Sequence, residues 1–330
     1  MGKLIRIGTR ESQLAVWQAT KVQQLLLQNN FSSELVFIKS EGDLDLQTPL
    51  YEMGVQGIFT KSLDIALLNN KIDIAVHSMK DVPTQMAHGI VQAAILERAS
   101  YKDLLVYKAE LVKGERSKVN GEWSMVNEDP LKFEELFTIH HSPFTIATSS
   151  IRRKAQWLNR FPDHAIENLR GNVNTRLRKL QEENWDAAIF AAAGLERINL
   201  RPQNSVELDW MLPAPAQGAI MVVCRETDDF CLEACNNFNH NDTAICTKIE
   251  RDFLRTLLGG CSTPISALAT VKNDSLVFKG NILSVDGKEK VSVEKTVSIN
   301  EIHGLGKTAA EYLLQNGGQK IADGIRNGTK

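Results

Sequence analysis

One polar segment follows directly after the apolar run at residues 72–76 and reads HSMKDVP, residues 77–83. A short apolar run of this kind predicts a buried strand. Open α/β sheets bind their ligands at the carboxyl ends of their strands, which is where this segment would lie. Asp81 is therefore a candidate acid–base residue. The alternative is a solvated turn before a proline, because charged loop residues are usually only exposed.

Hydroxyl and arginine side chains cluster after two further predicted strands. Residues 148–150, Thr-Ser-Ser, precede Arg152 and Arg153 at an expected helix start, and residues 170–176 repeat the arrangement after the next strand. Hydroxyls and free backbone N–H groups at a helix start form an anion site that the helix dipole strengthens. Between residues 148 and 179 there are eight Lys or Arg against two acids. Guanidinium forks bind carboxylate or phosphate through two parallel hydrogen bonds.

These clusters predict an anionic ligand, although either of them alone could be a solvated helix face with nothing bound. Arg10 and Ser12, which follow the first predicted strand, form a third pair of the same kind. Three such pairs at equivalent strand ends favour a ligand site.

A cysteine follows two glycines near the end of the chain. Gly259, Gly260 and Cys261 come after a long predicted helix, so the glycines release the backbone where a thiol would emerge. Taken alone, Cys261 could be an incidental surface cysteine, because only a thiolate in an electropositive setting is a good nucleophile. The other four cysteines lie in apolar patterns and are interpreted as packing residues: Cys224, Cys231, Cys235 and Cys246.

The composition limits the class of protein. A chain of 330 residues with 43% apolar residues exceeds one hydrophobic core, so two or three domains are expected. A net charge of −2 disfavours a dedicated nucleic-acid binder, because neutralising phosphates normally requires a basic domain. Five scattered cysteines form neither a disulfide framework nor a metal-binding pattern, which favours the cytoplasm. Neither a targeting segment nor a membrane-spanning segment is visible, and no metal site is predicted.

The elements that must position these residues alternate between strand and helix patterns, which predicts α/β domains with mostly parallel sheets. A first set has strands near 4–7, 35–38, 72–76 and 90–95, with helices near 14–26 and 59–68. A second set has strands near 104–107, 145–147, 166–169 and 187–191, with helices near 151–160 and 173–183. A third, α+β set has a strand at 220–224, helices near 228–237 and 242–258, three strands between 265 and 297, and a helix near 302–316.

Three domains follow from these patterns. Residues 1–98 and 199–218 are assigned to domain 1, which carries the candidate acid–base residue. Residues 99–198 are assigned to domain 2, which carries the arginine-rich anion sites and a polar surface insertion at 108–144. Residues 219–330 are assigned to domain 3, with the exposed cysteine.

Several motifs together resemble the porphobilinogen deaminase family, whose members are also called hydroxymethylbilane synthases. Their order and spacing match that family over nearly the whole chain. The motifs are GTRES (8–12), HSMKDVP (77–83), TSSIRRKAQ (148–156), LRGNVNTRL (169–177), AAAGLERI (191–198), LPAPAQGAI (212–220) and GGCSTPI (259–265).

The resemblance implies two doubly wound domains similar to the lobes of a periplasmic binding protein, with a cleft between them, and a smaller C-terminal α+β domain. It implies a dipyrromethane cofactor bound by a thioether to Cys261, which primes the stepwise condensation of four porphobilinogen molecules with loss of ammonia. Hydrolysis then gives hydroxymethylbilane. Asp81 would accept hydrogen bonds from pyrrole N–H groups, stabilise positive charge and move protons.

The resemblance also implies which residues bind cofactor and substrate. Each pyrrole unit bears an acetate and a propionate, so the cleft needs many cations. Six arginines would bind these carboxylates: Arg10, Arg152, Arg153, Arg170, Arg176 and Arg197. Further binding candidates are Ser12, Phe59, Ser78, Lys80, Thr148, Ser149, Ser150 and Gln217. Phe59 would lie against the pyrroles, or else be a core residue at a helix start. Glu52 and Gln56 stand where the family commonly has lysines, which leaves the binding role of their loop open.

The main alternative is a non-catalytic, two-lobed protein that traps a carboxylate ligand. Asp81 and Cys261 count against it, because a pure anion trap needs neither. A nucleic-acid module is disfavoured by the acidic balance and the lack of interleaved aromatic and basic residues. The resemblance implies a monomer.

Overall fold

A computed structural model describes residues 3–39, 60–108, 118–119, 122–123, 143–257 and 263–328. In chain order, the strands are β1 (Ile5–Thr9), β2 (Ser33–Phe37), β3 (Ile74–Ser78), β4 (Ile90–Ile95), β5 (Asp103–Tyr107), β6 (Lys118–Val119), β7 (Glu122–Trp123), β8 (Thr145–Ala147), β9 (Ala165–Glu167), β10 (Ala187–Ala191), β11 (Ser205–Glu207), β12 (Ile220–Arg225), β13 (Ile265–Lys272), β14 (Ser275–Leu283) and β15 (Lys290–Ser298).

The α-helices are α1 (Gln13–Gln28), α2 (Lys61–Leu68), α3 (Ile151–Arg160), α4 (Val173–Glu182), α5 (Ala192–Glu196), α6 (Asp229–Asn236), α7 (Asn241–Leu257), α8 (Leu305–Leu313) and α9 (Gln319–Gly328). A one-turn 3-10 helix, Met79–Asp81, follows β3 directly. Within the described part of the chain, no helix is long and apolar enough to cross a membrane.

The first sheet has the order β2-β1-β3-β12-β4. Helix α1 buries Ala15, Ala19, Val22 and Leu26, which recur at helical spacing and therefore face the sheet together. Helix α6 packs on the same face of the sheet as α1, and α2 covers the other face through Leu63 and Leu67. Because both faces are covered, the central strands β1 and β3 consist almost wholly of buried residues.

The second sheet has the order β11-β5-β10-β8-β9. Helix α3 packs its fully buried Trp157 against one face of this sheet. Helices α4 and α5 cover the other face with Leu180 and Leu195. The carboxyl ends of β8 and β10, which are parallel, therefore open at the same edge of the sheet.

The third sheet is an antiparallel meander, β13-β14-β15. Helices α7, α8 and α9 share one hydrophobic core with it. Phe253 of α7 meets Phe278 of β14 edge to face, with 5.1 Å between ring centroids. Gly280 leaves space for this ring, since a Cβ there would lie 2.6 Å from Phe253.

The predicted fold class is confirmed: two α/β domains are followed by a smaller α+β domain. The prediction of mostly parallel sheets is also confirmed, because four of the five strands in each of these two sheets run in the same direction. In the first sheet β1, β2 and β3 are parallel, but β12 is antiparallel to both β3 and β4. In the second sheet β8 is parallel to β9 and β10, whereas β5 is antiparallel to β10 and β11. Strands that return from the other domain run in the opposite direction.

Two segments lie in other domains than the sequence predicts. The boundary at residue 219 is wrong, because β12 is hydrogen-bonded between β3 and β4 and α6 packs on the same sheet. Domain 3 therefore begins with α7. Strand β11, assigned with 199–218 to domain 1, pairs with β5 in the second sheet. Of the predicted insertion at 108–144, only Lys108, the short β6–β7 pair and residues 143–144 are described.

Candidate active site

The segment after β3 is anchored by two buried apolar residues. Met79 is 1% exposed and its amide donates to Ala219 O at 3.0 Å, while Val82 is 6% exposed and its amide donates to Met79 O at 3.1 Å. Between them, Lys80 and Asp81 are half-buried. The tight 3-10 turn thus directs two charged residues to the edge of the first sheet, as the sequence predicts.

Asp81 lies among positive charges without being neutralised by a direct contact. Among the residues that the structure describes, none donates a hydrogen bond to its carboxylate. The charges of Lys80 and Arg176 both act on it. Burial lowers the pKa of Lys80 to about 8, an effect that Asp81 opposes and that Arg153 reinforces. We name Asp81, Lys80 and Arg176 the Asp81 cluster.

Arg176 brings α4 of the second domain to this cluster. Its Nε donates to Gly171 O at 2.7 Å, and its terminal nitrogens have no hydrogen-bond partner within the described ranges. Burial lowers the pKa of Arg176 to about 10, with Arg153 and Arg170 adding to the effect and Asp81 opposing it. Because like charges are crowded here, an anion would relieve their repulsion.

Arg152 and Arg153 meet at one fully buried carboxylate, Asp103 at the start of β5. Arg152 Nη1 lies 2.8 Å from Asp103 Oδ2, and Arg153 donates to Oδ1 from Nη2 at 2.8 Å and from Nε at 3.1 Å. Gln217 Nε2 donates to the same Oδ1 at 2.9 Å. Burial raises the pKa of Asp103, but Arg152 and Arg153 outweigh it and hold the pKa well below its usual range.

We name these four residues the Asp103 network. It joins the domains, because Gln217 lies just before β12 and also donates to Tyr101 O at 2.8 Å. The guanidinium groups of Arg152 and Arg153 therefore have an internal partner, which the sequence did not indicate. Arg152 Nε is buried and has no hydrogen-bond partner in the part of the chain described. Carboxylate binding by Arg152, Arg153 and Gln217 stays a prediction.

The predicted hydroxyl donors act mainly as helix caps. Ser12 Oγ accepts from Ala15 N at the start of α1, and Ser150 Oγ accepts from Arg153 N at the start of α3, each at 3.4 Å. Thr148 is 4% exposed, and its Oγ1 accepts from Ser150 N at 3.3 Å. Ser149 is half-buried beside them. These caps hold the helix starts in place at the sheet edge.

Of three further predicted residues, Ser78 and Arg10 lie at the first sheet and Arg170 lies at the second. Ser78 Oγ accepts from Gln18 Nε2 at 2.8 Å, a contact between β3 and α1. Arg10 is half-buried after β1, and its charge adds to burial in lowering the pKa of His77 to about 3. Arg170 is 3% exposed at the carboxyl side of β9. The structure thus brings residues from both lobes to one region.

Arg197 contacts one of the two segments, 96–102 and 208–219, that connect the first and second sheets and form the crossings between the two lobes. Its Nη2 donates to Gly218 O at 2.6 Å, and its guanidinium lies over Trp17 at 5.7 Å. Burial lowers the pKa of Arg197 to about 10, against the opposing charge of Glu196. Gly218 has a φ of 88°, and a Cβ there would lie 2.7 Å from Ala99 O.

Two predicted residues, Cys261 and Phe59, lie outside the described residues, as do Glu52 and Gln56. Helix α7 is described as far as Leu257, so the predicted release of the chain at Gly259 and Gly260 also lies outside the described residues. The four cysteines that the structure does describe are buried and free, as the sequence predicts. Burial raises the pKa of Cys231 to about 12 and that of Cys246 to about 11, so these thiols are not nucleophiles.

Sequence reasoning missed the residues of α7 that hold the domains together. Glu250 is fully buried and accepts from Arg98 Nη1 at 2.6 Å, from Ala216 N at 2.6 Å and from Ala269 N at 2.8 Å. Arg251 donates to main-chain carbonyls beside Asp81. Both residues occur in an ordinary amphipathic helix pattern, in which charged residues suggest only a solvated face. No local signal distinguishes them.

Two family models match the chain. The model described as porphobilinogen deaminase, dipyromethane cofactor binding domain, matches residues 5–233. The model described as porphobilinogen deaminase, C-terminal domain, matches residues 244–315. Together they cover the candidate active site and the core of the third domain.

Curated relatives align with the chain over most of its length. The porphobilinogen deaminase of Pelobacter propionicus is 38% identical over 327 residues, covering 97% of each chain. That of Geobacter metallireducens is 40% identical over 329 residues, covering 97% of this chain and 94% of the relative. The probable porphobilinogen deaminase of Methanocaldococcus jannaschii is 40% identical over 303 residues, covering 91% and 94%.

Among solved structures, the crystal structure of the methionine binding protein MetQ is similar with a TM-score of 0.41 and 13% identity, covering 71% of this chain and 88% of that one.

Proposed function

The chain belongs to the porphobilinogen deaminase family, and we propose that Asp81 is the acid–base residue of its active site. It is a transferase of tetrapyrrole biosynthesis, a hydroxymethylbilane synthase that condenses four porphobilinogen molecules head to tail with loss of ammonia. Its cofactor is dipyrromethane. The non-catalytic carboxylate-binding alternative is not favoured.

The donors around the Asp81 cluster fit ligands that are rich in carboxylates. In the described part of the chain, no hydrogen-bond partner is present for Arg152 Nε or for the terminal nitrogens of Arg176. Arg152 Nε is buried, and a buried donor is unfavourable unless it is paired. Acetate and propionate groups of the dipyrromethane and of porphobilinogen would pair with these nitrogens. Arg10, Arg170 and Lys80 would add positive charge, and the capped helix starts at Ser12, Ser149 and Ser150 would add donors.

The observation that carries the proposal is the state of the Asp81 carboxylate, which has no donor among the described residues although positive charges surround it. Its acceptor positions are therefore open to pyrrole N–H groups. A carboxylate held there stabilises positive charge on a pyrrole. It also accepts a proton from the carbon that has formed the new bond, and donates one to the departing amine.

We propose that Cys261 holds the dipyrromethane through a thioether bond. The bound cofactor supplies the pyrrole carbon from which the chain grows. Support comes from α7, which is fixed to both lobes and whose last described residue, Leu257, is four residues before Cys261 in the sequence. Phe59 and Ser78 would contact pyrrole rings or their substituents, and Arg197 and Gln217 would act at the crossing between the lobes.

We also propose that the protein works as a monomer in the cytoplasm and binds neither nucleic acid nor membrane. The four buried free thiols support a reducing compartment. Residues 3–95 and 220–236 would form domain 1, residues 103–207 domain 2, and residues 241–328 domain 3, as the strand pairing supports. Light scattering during size-exclusion chromatography tests the monomer, and a mass of twice 36.8 kDa would contradict it.

The purified chain, incubated with porphobilinogen, tests the function. We expect release of ammonia, consumption of porphobilinogen and an intact mass that exceeds the sequence mass by one dipyrromethane. Peptide mapping should locate the excess at Cys261, and Cys261→Ser should not retain it. An unmodified protein that releases no ammonia would contradict the proposal. A modified peptide other than that of Cys261 would contradict the anchor alone.

A further inference from the structure

Arg251 projects from α7 of the third domain to the segment that contains Asp81. Its Nη1 donates to Val82 O at 2.8 Å and lies 3.4 Å from Met79 O, and its Nη2 donates to Pro83 O at 2.6 Å. These partners are 168 to 172 residues away in the sequence. One side chain therefore binds carbonyl groups on both sides of Asp81.

The carbonyls that Arg251 binds lie where a one-turn helix ends. Such a turn leaves carbonyl groups without intrahelical donors, and a cation at this end interacts favourably with them. A planar guanidinium can bond several carbonyls at once, whereas an ammonium group is a single point of charge. Burial lowers the pKa of Arg251, but an arginine remains protonated at neutral pH.

Helix α7 is itself fixed to both lobes. Glu250, the preceding residue, accepts hydrogen bonds from Arg98 Nη1 and Ala216 N. These two residues belong to the two segments that connect the lobes. Thr243 Oγ1, near the start of α7, accepts from Arg98 N at 3.1 Å. Leu257, at the other end, is fully buried in the core of the third domain. The helix is therefore a rigid support rather than a mobile surface element.

We propose that Arg251 is a positioning residue for Asp81, and that it holds the Asp81 segment to the helix that leads to Cys261. This inference rests on the proposed function. Arg251 acts through the main chain at residues 79, 82 and 83, so it sets where the Asp81 carboxylate lies relative to the bound cofactor. The arginines of the second domain still bind substrate carboxylates without it. Its loss should therefore affect turnover more than substrate binding.

The test compares Arg251→Gln and Arg251→Lys with the control Arg255→Gln. Arg255 lies one turn later on α7, is exposed, and has no hydrogen-bond partner within the described ranges. Since a misplacement near 1 Å can cost about 10²-fold in rate, we expect Arg251→Gln to lower kcat by roughly ten- to a hundredfold. We expect KM to change by less than about threefold, Arg251→Lys to be intermediate, and the control to match the unsubstituted protein.

A second measurement is independent of turnover. Hydrogen exchange of the peptide at residues 77–83 should be faster in Arg251→Gln than in Arg255→Gln, because the amides of Met79 and Val82 are hydrogen-bonded in this turn. Peptides from β1 should exchange as in the unsubstituted protein. If Arg251→Gln does not fold, Arg251→Lys carries the test, with a smaller loss of kcat and faster exchange at 77–83.

Two results would overturn the inference. One is a kcat for the Arg251 variants equal to that of the Arg255 control. The other is a loss of kcat with exchange at 77–83 unchanged, which would show that Arg251 acts elsewhere. Failure of the unsubstituted protein to release ammonia from porphobilinogen would instead contradict the proposed function, so the two failures are distinguishable.

Discussion

Asp81 and Asp103 both act on the charge of Lys80, but their surroundings differ. Asp103 is fully buried and binds Arg152, Arg153 and Gln217. Asp81 is half-buried and accepts no hydrogen bond from the residues described. A buried carboxylate whose charge is compensated by arginines of the protein belongs to the scaffold. One whose acceptor positions are open, beside uncompensated positive charge, can bind and protonate a substrate.

The different surroundings of the two carboxylates also predict that one contributes to stability and the other to activity. Removing one partner of a buried ion network leaves uncompensated charges inside the protein, which strongly disfavours the folded state. Removing a half-buried carboxylate that has no donors leaves no buried group unpaired. We therefore expect the same substitution, aspartate to asparagine, to have opposite effects at the two positions. It should mainly lower activity at Asp81 and mainly lower stability at Asp103.

The largest expected effect is that of Asp81→Asn on turnover. An amide cannot transfer the proton, so kcat should fall by roughly 10²- to 10⁴-fold. The free energy of unfolding should change by less than about 0.5 kcal/mol, because no described donor loses a hydrogen-bond partner. Steady-state assays and urea unfolding check both. Normal turnover in this variant would contradict the acid–base role, and a large loss of stability would make Asp81 a second scaffold residue.

The reciprocal change, Asp103→Asn, should mainly destabilise the fold. It leaves Arg152 and Arg153 buried without a carboxylate, so the free energy of unfolding should fall by about 3–5 kcal/mol. The matched control is Asp209→Asn, which removes an exposed ion pair with Lys102 and should cost less than about 1 kcal/mol. Urea unfolding measures the free energy of unfolding of both variants. Equal losses in Asp103→Asn and Asp209→Asn would contradict the scaffold role of Asp103.

A smaller effect is expected from Arg176→Gln, which tests a cation of the Asp81 cluster instead of the carboxylate. Loss of a carboxylate contact should lower kcat/KM by roughly ten- to thirtyfold. Stability should be unchanged or rise slightly, because the positive charges of Arg153 and Arg170 disfavour the charged form of Arg176. Arg178→Gln is the control, since Arg178 is exposed and pairs with Glu182. A loss of stability without a loss of kcat/KM would assign Arg176 to the scaffold.

The smallest effect concerns pH and Lys80. Burial lowers the pKa of Lys80 to about 8 from 10.5, so the folded protein loses this proton before the unfolded chain does. Stability attributable to Lys80 should therefore rise between about pH 8 and pH 10.5. Carboxylate binding should weaken over the same range, with kcat/KM falling by about tenfold.

Lys80→Arg tests this assignment, because an arginine stays protonated throughout that range. Its profile of kcat/KM against pH should be flat where that of the unsubstituted protein falls. An unchanged fall in this variant would assign the titration to a group other than Lys80.

Much of the fold followed from periodicity. The buried run at 72–76 and the amphipathic pattern of α1 predicted a strand and a helix, because side-chain burial repeats with the local geometry. The placement of β12 did not follow. A buried strand has the same composition whichever sheet it joins, so residues 220–225 alone could not indicate that they pair with β3 and β4.

The site divides in the same way. Asp81 and Arg176 were predicted because they lie in polar segments that follow strands, and the carboxyl ends of such strands define a ligand edge. Arg152 and Arg153 looked equivalent to Arg176, but Asp103, about 50 residues earlier, occupies their guanidinium groups. Arg251 had no signal at all, since its partners are some 170 residues away.

The amino-acid sequence by itself determined the fold class, the family and the chemical types of residue that the reaction needs. These depend on local periodicity and on motifs that are continuous along the chain. Only the tertiary structure decided which charges neutralise one another and which stay open, because that depends on distances between residues far apart in the sequence. Asp103 binds Arg152 and Arg153, and Arg251 binds main-chain carbonyls of the Asp81 segment. Both contacts form only once the domains have packed together.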